Sequence, residues 1–217
     1  MSVDELLDYI KVGTDDRIYA ISQLMWMGVD HSLICDITQI DMFFLDKIKR
    51  IVDFEKEMEK NPSSSELLRE AKRMGFSDSY IAELWNQSEE DVYNYRVEHD
   101  IFPVYKMIDT CASEFDSYVP YFYSTYDEHC ESRALPKNNK KKIIVLGSGP
   151  IRIGQGIEFD YSSVHCVWTL KALGYEVILV NNNPETVSTD FDTGDRLYFE
   201  PLCQEDVMNI IKTENPI

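Results

Sequence analysis

The chain has 217 residues, of which 44% are hydrophobic and 28% charged. This composition supports one large or two small apolar cores and excludes intrinsic disorder. The 39 acidic side chains outnumber 21 Lys and Arg, giving a formal net charge of −18. This net charge disfavours nucleic acid and anionic membranes as partners, because both would repel the protein. Five cysteines without a CxxC pair, and no signal peptide or long apolar run, favour a reducing, cytoplasmic setting.

The acidic residues are concentrated in the first part of the chain. Residues 1–133 carry 28 acidic and 13 basic side chains, net −15, whereas residues 134–217 carry 11 and 8, net −3. Between the two parts, residues 134–142 are rich in Pro, Asn and Lys, a composition typical of an exposed linker. We therefore predict a helical domain over 1–133, a linker over 134–142 and an α/β domain over 143–217.

Helical periodicity and stop signals divide the acidic part into short helices. Apolar residues recur at helical spacing from Arg17 to Met27, and Gly28 follows where a left-handed cap is expected. Thr38 to Asp41 has the form of a capping box, which predicts that a longer helix through Met58 begins at Thr38.

The same two signals, a glycine stop and a capping box, return 47 to 50 residues further along the chain. Met74-Gly75 resembles Met27-Gly28, and a second capping box runs from Ser88 to Asp91. Two copies are too few for a solenoid. The aromatic run Tyr118–Tyr123 contains Pro120, which disfavours a helix and predicts a packed, extended segment.

The pattern changes after Lys141. Ile143–Leu146 is a short apolar run of the kind found in buried strands, and a glycine turn and a helical pattern ending at Gly174 follow it. Glu176–Val180 is a second such run. Strand, glycine turn, helix and strand predict the βαβ start of a doubly wound, Rossmann-like sheet.

The glycine turn does not match a dinucleotide-binding fingerprint. After Gly147 and Gly149, the motif G-x-G-x-x-G requires glycine at position 152, where the chain has Arg152. The second strand ends in asparagines, without the acidic residue that binds a ribose. NAD and FAD are therefore not expected ligands.

A polar crevice is expected where the two strands end, because open α/β sheets bind ligands at their carboxyl edges. The polar residues that follow the two strands form the predicted set, namely Arg152, Gln155, Glu158, Asp160, Asn181, Asn183, Glu185, Thr186 and Thr189. The alternative is that Glu158 and Glu185 are solvated, or pair with Arg152 or Arg196.

Three segments of the second part, Gly147–Tyr161, Asn183–Thr189 and Asp195–Pro201, closely resemble the large chain of carbamoyl phosphate synthetase. The first part resembles that family's oligomerisation domain at Asp100–Phe115 and at Tyr123–Tyr126. The resemblance implies an all-helical oligomerisation domain followed by an incomplete pre-ATP-grasp unit. Within that unit it indicates the second half of the large chain, which phosphorylates carbamate.

The resemblance also implies roles for individual residues. In the family, the positions of Gly156, Glu158 and Glu185 line the passage through which carbamate moves between two active sites. Arg152, Gln155 and Asn183 are expected to be polar residues of the same crevice, and no catalytic or metal-binding residue is expected. Cys111 and Cys166 have no His placed by sequence to activate them.

The activity implied for the whole enzyme is that of an ATP-dependent ligase. It makes carbamoyl phosphate from bicarbonate, ATP and ammonia released from glutamine, for arginine and pyrimidine synthesis. The implied partners are a glutaminase small subunit, the remaining large-chain domains and further copies of the chain, bound through the helical domain.

ATP, with Mg or Mn, would bind beyond Ile217, where we also expect the third strand of the sheet. The chain by itself is then inactive and holds no cofactor. Two alternatives remain: a free-standing helical interaction module, and a helix-turn-helix DNA binder, which the net charge of the first part disfavours.

Overall fold

A computed structural model describes residues 1–108, 114–115, 119–135, 139–150 and 158–217, apart from the side chains of Glu158 and Phe159. The chain forms two compact units. The first, here called the helical unit, comprises residues 1–68 and 79–92, and the second, the α/β unit, comprises 69–78 and 93–217.

The amino-terminal half of the chain is helical. Helices α1 (Val3–Tyr9), α2 (Arg17–Trp26), α3 (His31–Thr38) and α4 (Met42–Lys60) belong to the helical unit. Helices α5 (Ser65–Arg73), α6 (Asp78–Trp85) and α7 (Glu89–Glu98) contribute residues to both units. The core of the helical unit is apolar and includes Leu6, Ile10, Ile21, Leu24, Ile34, Leu45 and Val52.

The predicted helix end at Gly28 is confirmed. Gly28 has φ +87°, its N–H donates to Met25 O, and the N–H of Val29 donates to Leu24 O, both at 3.0 Å. These two bonds form a Schellman motif, which satisfies carbonyls that the helix end leaves free. At Gly75, with φ +90°, the same pair of bonds ends α5.

The predicted cap at Thr38 is wrong. The Thr38 hydroxyl donates to Ile34 O at 2.7 Å and closes α3, and Gln39 then turns the chain with φ 57°. Helix α4 is capped instead by Asp41, whose carboxylate accepts from Phe43 N at 2.8 Å. Thr38 is the last residue of a helix, so its hydroxyl is committed to a carbonyl of the preceding turn.

The second capping box is confirmed. The Ser88 hydroxyl accepts from Asp91 N, and the Asp91 carboxylate accepts from Ser88 N, each at 3.1 Å. This reciprocal pair fixes the start of α7.

The α/β unit contains a five-stranded mixed sheet among its described residues. Its strands are β1 (Val104–Met107), β2 (Tyr121–Thr125), β3 (Lys142–Leu146), β4 (Glu176–Val180) and β5 (Arg196–Tyr198). They lie in the order β1-β2-β5-β4-β3. Strands β3, β4, β5 and β2 are mutually parallel, and β1 is antiparallel to β2.

Two further helices, α8 (Glu158–Ala172) and α9 (Gln204–Glu214), supply apolar side chains to opposite faces of this sheet. Val177 and Leu179 of β4 pack in one cluster with Val167 of α8. Ile178 and Val180 pack in another with Ile210 of α9. Every residue of β4 is buried, as expected of a parallel strand covered on both faces. The predicted combination of helices with an α/β sheet is therefore confirmed.

Two features of the sheet differ from the sequence-based expectations. A third parallel strand is already present, because β5 pairs with β4 through Leu179↔Leu197, so the expectation that this strand lies beyond residue 217 is wrong. In addition, β1 and β2 come from the part of the chain assigned to the helical domain, although the extended conformation predicted for the aromatic run is confirmed where β2 includes residues 121–123. The aromatic run supplies the reason, since Phe122 stacks on Tyr198 with ring centroids 5.2 Å apart.

Charged residues lie at the amino ends of three of the parallel strands, and two of them, Glu176 and Arg196, are buried. Lys142, Glu176 and Arg196 are the first residues of β3, β4 and β5. Arg196 contacts Glu176 at 2.8 Å and Glu214 of α9 at 3.0 Å, and Lys142 contacts Glu214 at 2.7 Å. Burial lowers the pKa of Arg196, but Glu214 and Glu176 raise it on balance. The network secures the end of the sheet opposite to the predicted crevice.

Candidate functional site

The candidate site lies where β3 and β4 end. Gly147 follows β3, and its N–H donates to Val180 O at 2.8 Å. The buried Asn181 follows β4, and its Oδ1 accepts from Gly149 N at 3.1 Å and from Asn182 N at 3.0 Å. One amide side chain therefore organises the turns after both strands.

Position 147 leaves no room for a side chain. A Cβ built on Gly147 would lie 2.5 to 2.8 Å from three atoms of the Asn181 side chain, closer than van der Waals contact permits. Gly149 has φ +76°, which disfavours residues with a Cβ. These two glycines are explained by contact with Asn181 and by backbone geometry, without a nucleotide.

Asp160 joins the second loop to the first turn of α8. Its side chain is only 1% exposed, and its Oδ2 accepts from Ser188 N at 2.5 Å. Ser188 belongs to the short 3-10 helix Val187–Thr189. The other carboxylate oxygen of Asp160, Oδ1, is buried and has no hydrogen-bond partner among the described residues. The segments predicted to converge, 158–160 and 183–189, are therefore in contact through Asp160.

Hydroxyl groups hold the second loop from within. Thr189 Oγ1 donates to Thr186 O at 2.7 Å, and Thr186 Oγ1 lies 3.3 Å from Asn183 O. Asn183 is half-buried, and its Oδ1 accepts from Glu185 N at 3.0 Å. Glu185 itself is exposed.

The structure describes only some of the remaining predicted site residues. Arg152, Gln155 and Gly156 lie outside the described residues, and Glu158 is described only as the first residue of α8. The passage-lining role of Gly156, Glu158 and Glu185 stays a prediction. Arg196, an alternative partner for the glutamates, is held instead by Glu176 and Glu214 at the other end of the sheet.

A cavity of about 520 Å³ in the α/β unit was not predicted. Lys72 on its wall donates to Phe76 O at 2.6 Å and to Asp78 at 3.1 Å, and it also pairs with Glu205. Asp78 pairs in turn with the buried Arg96. Glu205 lies 133 residues beyond Lys72 in the chain, so no local motif could have indicated this pair. Because its ammonium group has three acceptors, Lys72 is committed to structure.

Two titratable groups border the same cavity. Burial raises the pKa of Glu200 to about 7, against hydrogen bonds from the backbone and hydroxyl of Ser124. Burial also raises the pKa of the Cys203 thiol to about 11, and this thiol donates to Asp206 at 2.8 Å. Cys203 is therefore protonated at neutral pH, a state unsuited to a nucleophile.

The described ranges contain no group of three or more His, Cys, Asp or Glu side chains arranged to hold a metal ion. None of the helices in the described part has the length and apolar character needed to span a bilayer. Within the described residues, the backbone amides and hydroxyls named at the crevice are bonded inside the protein, whereas the buried Asn181 Nδ2 has no hydrogen-bond partner.

Comparison with known families assigns both parts of the chain. The family model described as "Carbamoyl-phosphate synthetase large chain, oligomerisation domain" matches residues 1–100. The model described as "Carbamoyl phosphate synthase preATP-grasp domain" matches residues 139–217. The chain therefore combines an oligomerisation domain with a pre-ATP-grasp domain.

A curated relative matches the chain along its whole length. The carbamoyl phosphate synthase large chain of Caldanaerobacter subterraneus subsp. tengcongensis is 52% identical over all 217 residues. The chain belongs to the carbamoyl phosphate synthase large-chain family, and it spans 20% of the length of this relative.

Proposed function

We propose that the chain acts as part of the large subunit of a glutamine-dependent carbamoyl phosphate synthetase. The observation that carries this proposal is the consecutive match to two large-chain domains within a sequence 52% identical to a large chain throughout. The whole enzyme would make carbamoyl phosphate from bicarbonate, ammonia and ATP in the cytoplasm, for arginine and pyrimidine synthesis. A glutaminase small subunit would release the ammonia.

Within that enzyme the chain contributes scaffold and binding surface. Its domains are proposed as a helical oligomerisation domain over 1–133, a linker over 134–142 and a pre-ATP-grasp domain over 143–217. The described residues do not fit a metal site, so no step through Mg or Mn is assigned to them, and ATP would bind with its metal elsewhere in the enzyme. A calorimetric titration of the isolated chain with Mg-ATP should give no binding in the low-micromolar range.

Gly156, Glu158 and Glu185 are proposed to line the passage for carbamate. The bond between Asp160 and Ser188 supports this role, because it connects the turn that begins at Glu158 to the loop that contains Glu185. The exposed Glu185 carboxylate on that loop forms no ion pair with any described residue, so it can face a guest.

The passage is tested in a full-length large chain carrying this sequence. Glu185→Phe should obstruct transfer, so carbamoyl phosphate formation falls while the bicarbonate-dependent ATPase of the first half continues. ATP synthesis from ADP and added carbamoyl phosphate should persist, because it needs no passage between sites. The control is Glu185→Asp, which keeps the charge and should retain overall synthesis. Parallel loss of both partial reactions and of thermal stability would contradict the passage role.

Self-association through the helical domain rests on its exposed apolar surface. Phe43 and Phe44 are each 60% exposed and Met27 is 46% exposed, and Trp26 is half-buried. Exposed rings of this size are costly to leave in water. The same surface also suits the alternative function, a helical interaction module that binds a partner without the α/β part.

Sedimentation tests the surface directly. Phe43→Ser combined with Phe44→Ser should weaken self-association, whereas Phe191→Ser, at a ring 63% exposed in the α/β unit, should not. A strictly monomeric parent chain at high concentration would contradict self-association. Binding of another protein by residues 1–92 alone, with no binding by further copies, would favour the interaction module.

A further inference from the structure

A small cavity in the α/β unit has the composition of an anion site. Its volume is about 130 Å³, and its walls are Phe102, Pro103, Arg133, Asn209, Lys212 and Thr213. None of these residues belongs to the crevice described above. A volume of this size accommodates about four water molecules or one small polyatomic ion.

The buried wall of the cavity carries the amide side chain of Asn209. Asn209 is 3% exposed, and neither its Nδ2 nor its Oδ1 has a hydrogen-bond partner among the described residues. Leaving such groups unsatisfied is costly, and buried polar side chains are nearly always paired. A ligand that both accepts and donates a hydrogen bond would satisfy the Asn209 side chain.

Helix geometry gathers the other polar groups around this amide. Asn209, Lys212 and Thr213 are at positions i, i+3 and i+4 of α9, so they lie on one side of the helix. Arg133 comes from a second element, the short 3-10 helix Ser132–Ala134. That element is held in place by Arg196, whose Nη1 donates to Ser132 O at 3.2 Å.

Two cations border the cavity without neutralisation. Within the described ranges, neither Arg133 nor Lys212 forms an ion pair, although the protein has 39 acidic side chains against 21 basic ones. Lys212 Nζ lies 4.5 Å from the ring centroid of Tyr93 and 5.5 Å from that of Phe102. Aromatic faces position an ammonium group and leave its charge available.

The nearest carboxylate on α9 is already occupied. Glu214 pairs with Arg196 and with Lys142, and it accepts from the Tyr198 hydroxyl. It therefore places no uncompensated negative charge beside Lys212 and Thr213. Lys212, in the last turn of α9, also offsets the partial negative charge of the helix end.

From these contacts we infer that the cavity binds a small planar oxyanion that also carries a hydrogen-bond donor, such as bicarbonate. The anion's charge is met by Arg133 and Lys212. Its acceptor and donor atoms satisfy the two ends of the Asn209 amide. The inference does not depend on the proposed function, since it concerns binding at a separate place in the isolated chain.

Three probes of the same number of non-hydrogen atoms separate the two requirements. Bicarbonate has the charge and the donor, acetate has only the charge, and acetamide has a donor and an acceptor but no charge. Each is titrated into the chain at pH 8 and constant ionic strength, and the backbone amide resonance of Thr213 is followed by NMR. Bicarbonate should give a saturating shift. Acetate and acetamide should each bind with an affinity at least roughly tenfold lower than that of bicarbonate.

Substitutions then locate the site. Asn209→Asp keeps the shape and repels an anion, and Asn209→Leu removes both hydrogen-bonding groups, so both should abolish bicarbonate binding. Arg133→Gln and Lys212→Gln should each weaken it roughly tenfold. Lys11→Gln, which removes an equal charge from an exposed pair with Asp8, should have no effect.

Three results would overturn the inference. These are a non-saturating response to bicarbonate in the parent chain, equal affinity for acetate and bicarbonate, or unchanged bicarbonate affinity after Asn209→Leu. Melting curves recorded on the same samples show whether each variant is folded. If Asn209→Leu does not fold, Asn209→Asp supplies the measurement in its place.

Discussion

The carboxylate of Asp160 accepts a hydrogen bond from the backbone N–H of Ser188, 28 residues further along the chain, at 2.5 Å. Both partners are buried. This contact joins the amino end of α8 to the loop after β4. The hydrogen bond therefore links segments 158–160 and 183–189, which the sequence predicted to form one site.

Removing this carboxylate should loosen the loop. Asp160→Ala leaves the buried N–H of Ser188 without a partner, at a cost of about 1–3 kcal/mol in the free energy of unfolding. Hydrogen exchange at Ser188 should accelerate, while the core of β4 stays protected. The control is Asp192→Ala, an exposed position nearby. Unchanged protection of Ser188 in Asp160→Ala would show that the bond does not hold the loop.

The contact between Gly147 and Asn181 predicts that even a methyl group is not tolerated. Gly147→Ala places a Cβ 2.5 Å from the Asn181 side chain, so the amide must move and its bonds to Gly149 and Asn182 are lost. We expect destabilisation of about 1–3 kcal/mol, measured by urea unfolding. At Gly13, a Cβ would meet only Arg17, at 3.8 Å, so Gly13→Ala should be nearly neutral. Equal stabilities of the two variants would contradict this explanation.

Arg196 is expected to be essential for folding. Arg196→Met leaves the buried carboxylates of Glu176 and Glu214 without their guanidinium, which should cost about 3–5 kcal/mol. Lys171→Met provides the matched control, because Lys171 and Asp195 form a more exposed pair at 3.8 Å. Its cost should stay below about 1 kcal/mol. Thermal unfolding measures both, and a mild effect at Arg196 would show that the network is dispensable.

Glu200 should make stability depend on pH. Its pKa is raised to about 7 in the folded protein, from an ordinary value near 4.5, so the folded state holds the proton more tightly than the unfolded state. This contribution to stability is complete below pH 4.5 and is lost as the pH rises through 7. Glu200→Gln removes it, on the order of 3 kcal/mol.

The measurement is the difference in unfolding free energy between Glu200→Gln and the parent chain across this range. The variant should gain relative to the parent from pH 5 to pH 8, because glutamine carries no charge to be buried. Its amide can also keep both contacts with Ser124. A difference that does not change with pH would show that Glu200 titrates normally.

Structure determined by neighbouring residues was predictable from the sequence. The glycine stop at Gly28, the capping box at Ser88 and the buried strand Glu176–Val180 each depend on hydrogen bonds or periodicity within a few residues. The motifs around Gly147 and Asn183 also identified the family. Thr38 shows the limit even at short range, since the same hydroxyl pattern serves the end of one helix as well as the start of another.

Contacts between distant residues were decided only by the tertiary structure. Parallel pairing brings β5 beside β4 and adds an aromatic segment predicted to lie in the helical domain. The same pairing places Arg196 between Glu176 and Glu214, far from the crevice where a partner for Glu185 was expected. Periodicity in a sequence indicates which face of an element is apolar, but not which other element will cover it. Only the tertiary structure places the Asn209 amide, which has no hydrogen-bond partner among the described residues, in one cavity with Arg133 and Lys212, because α9 and the segment around Arg133 enclose it together.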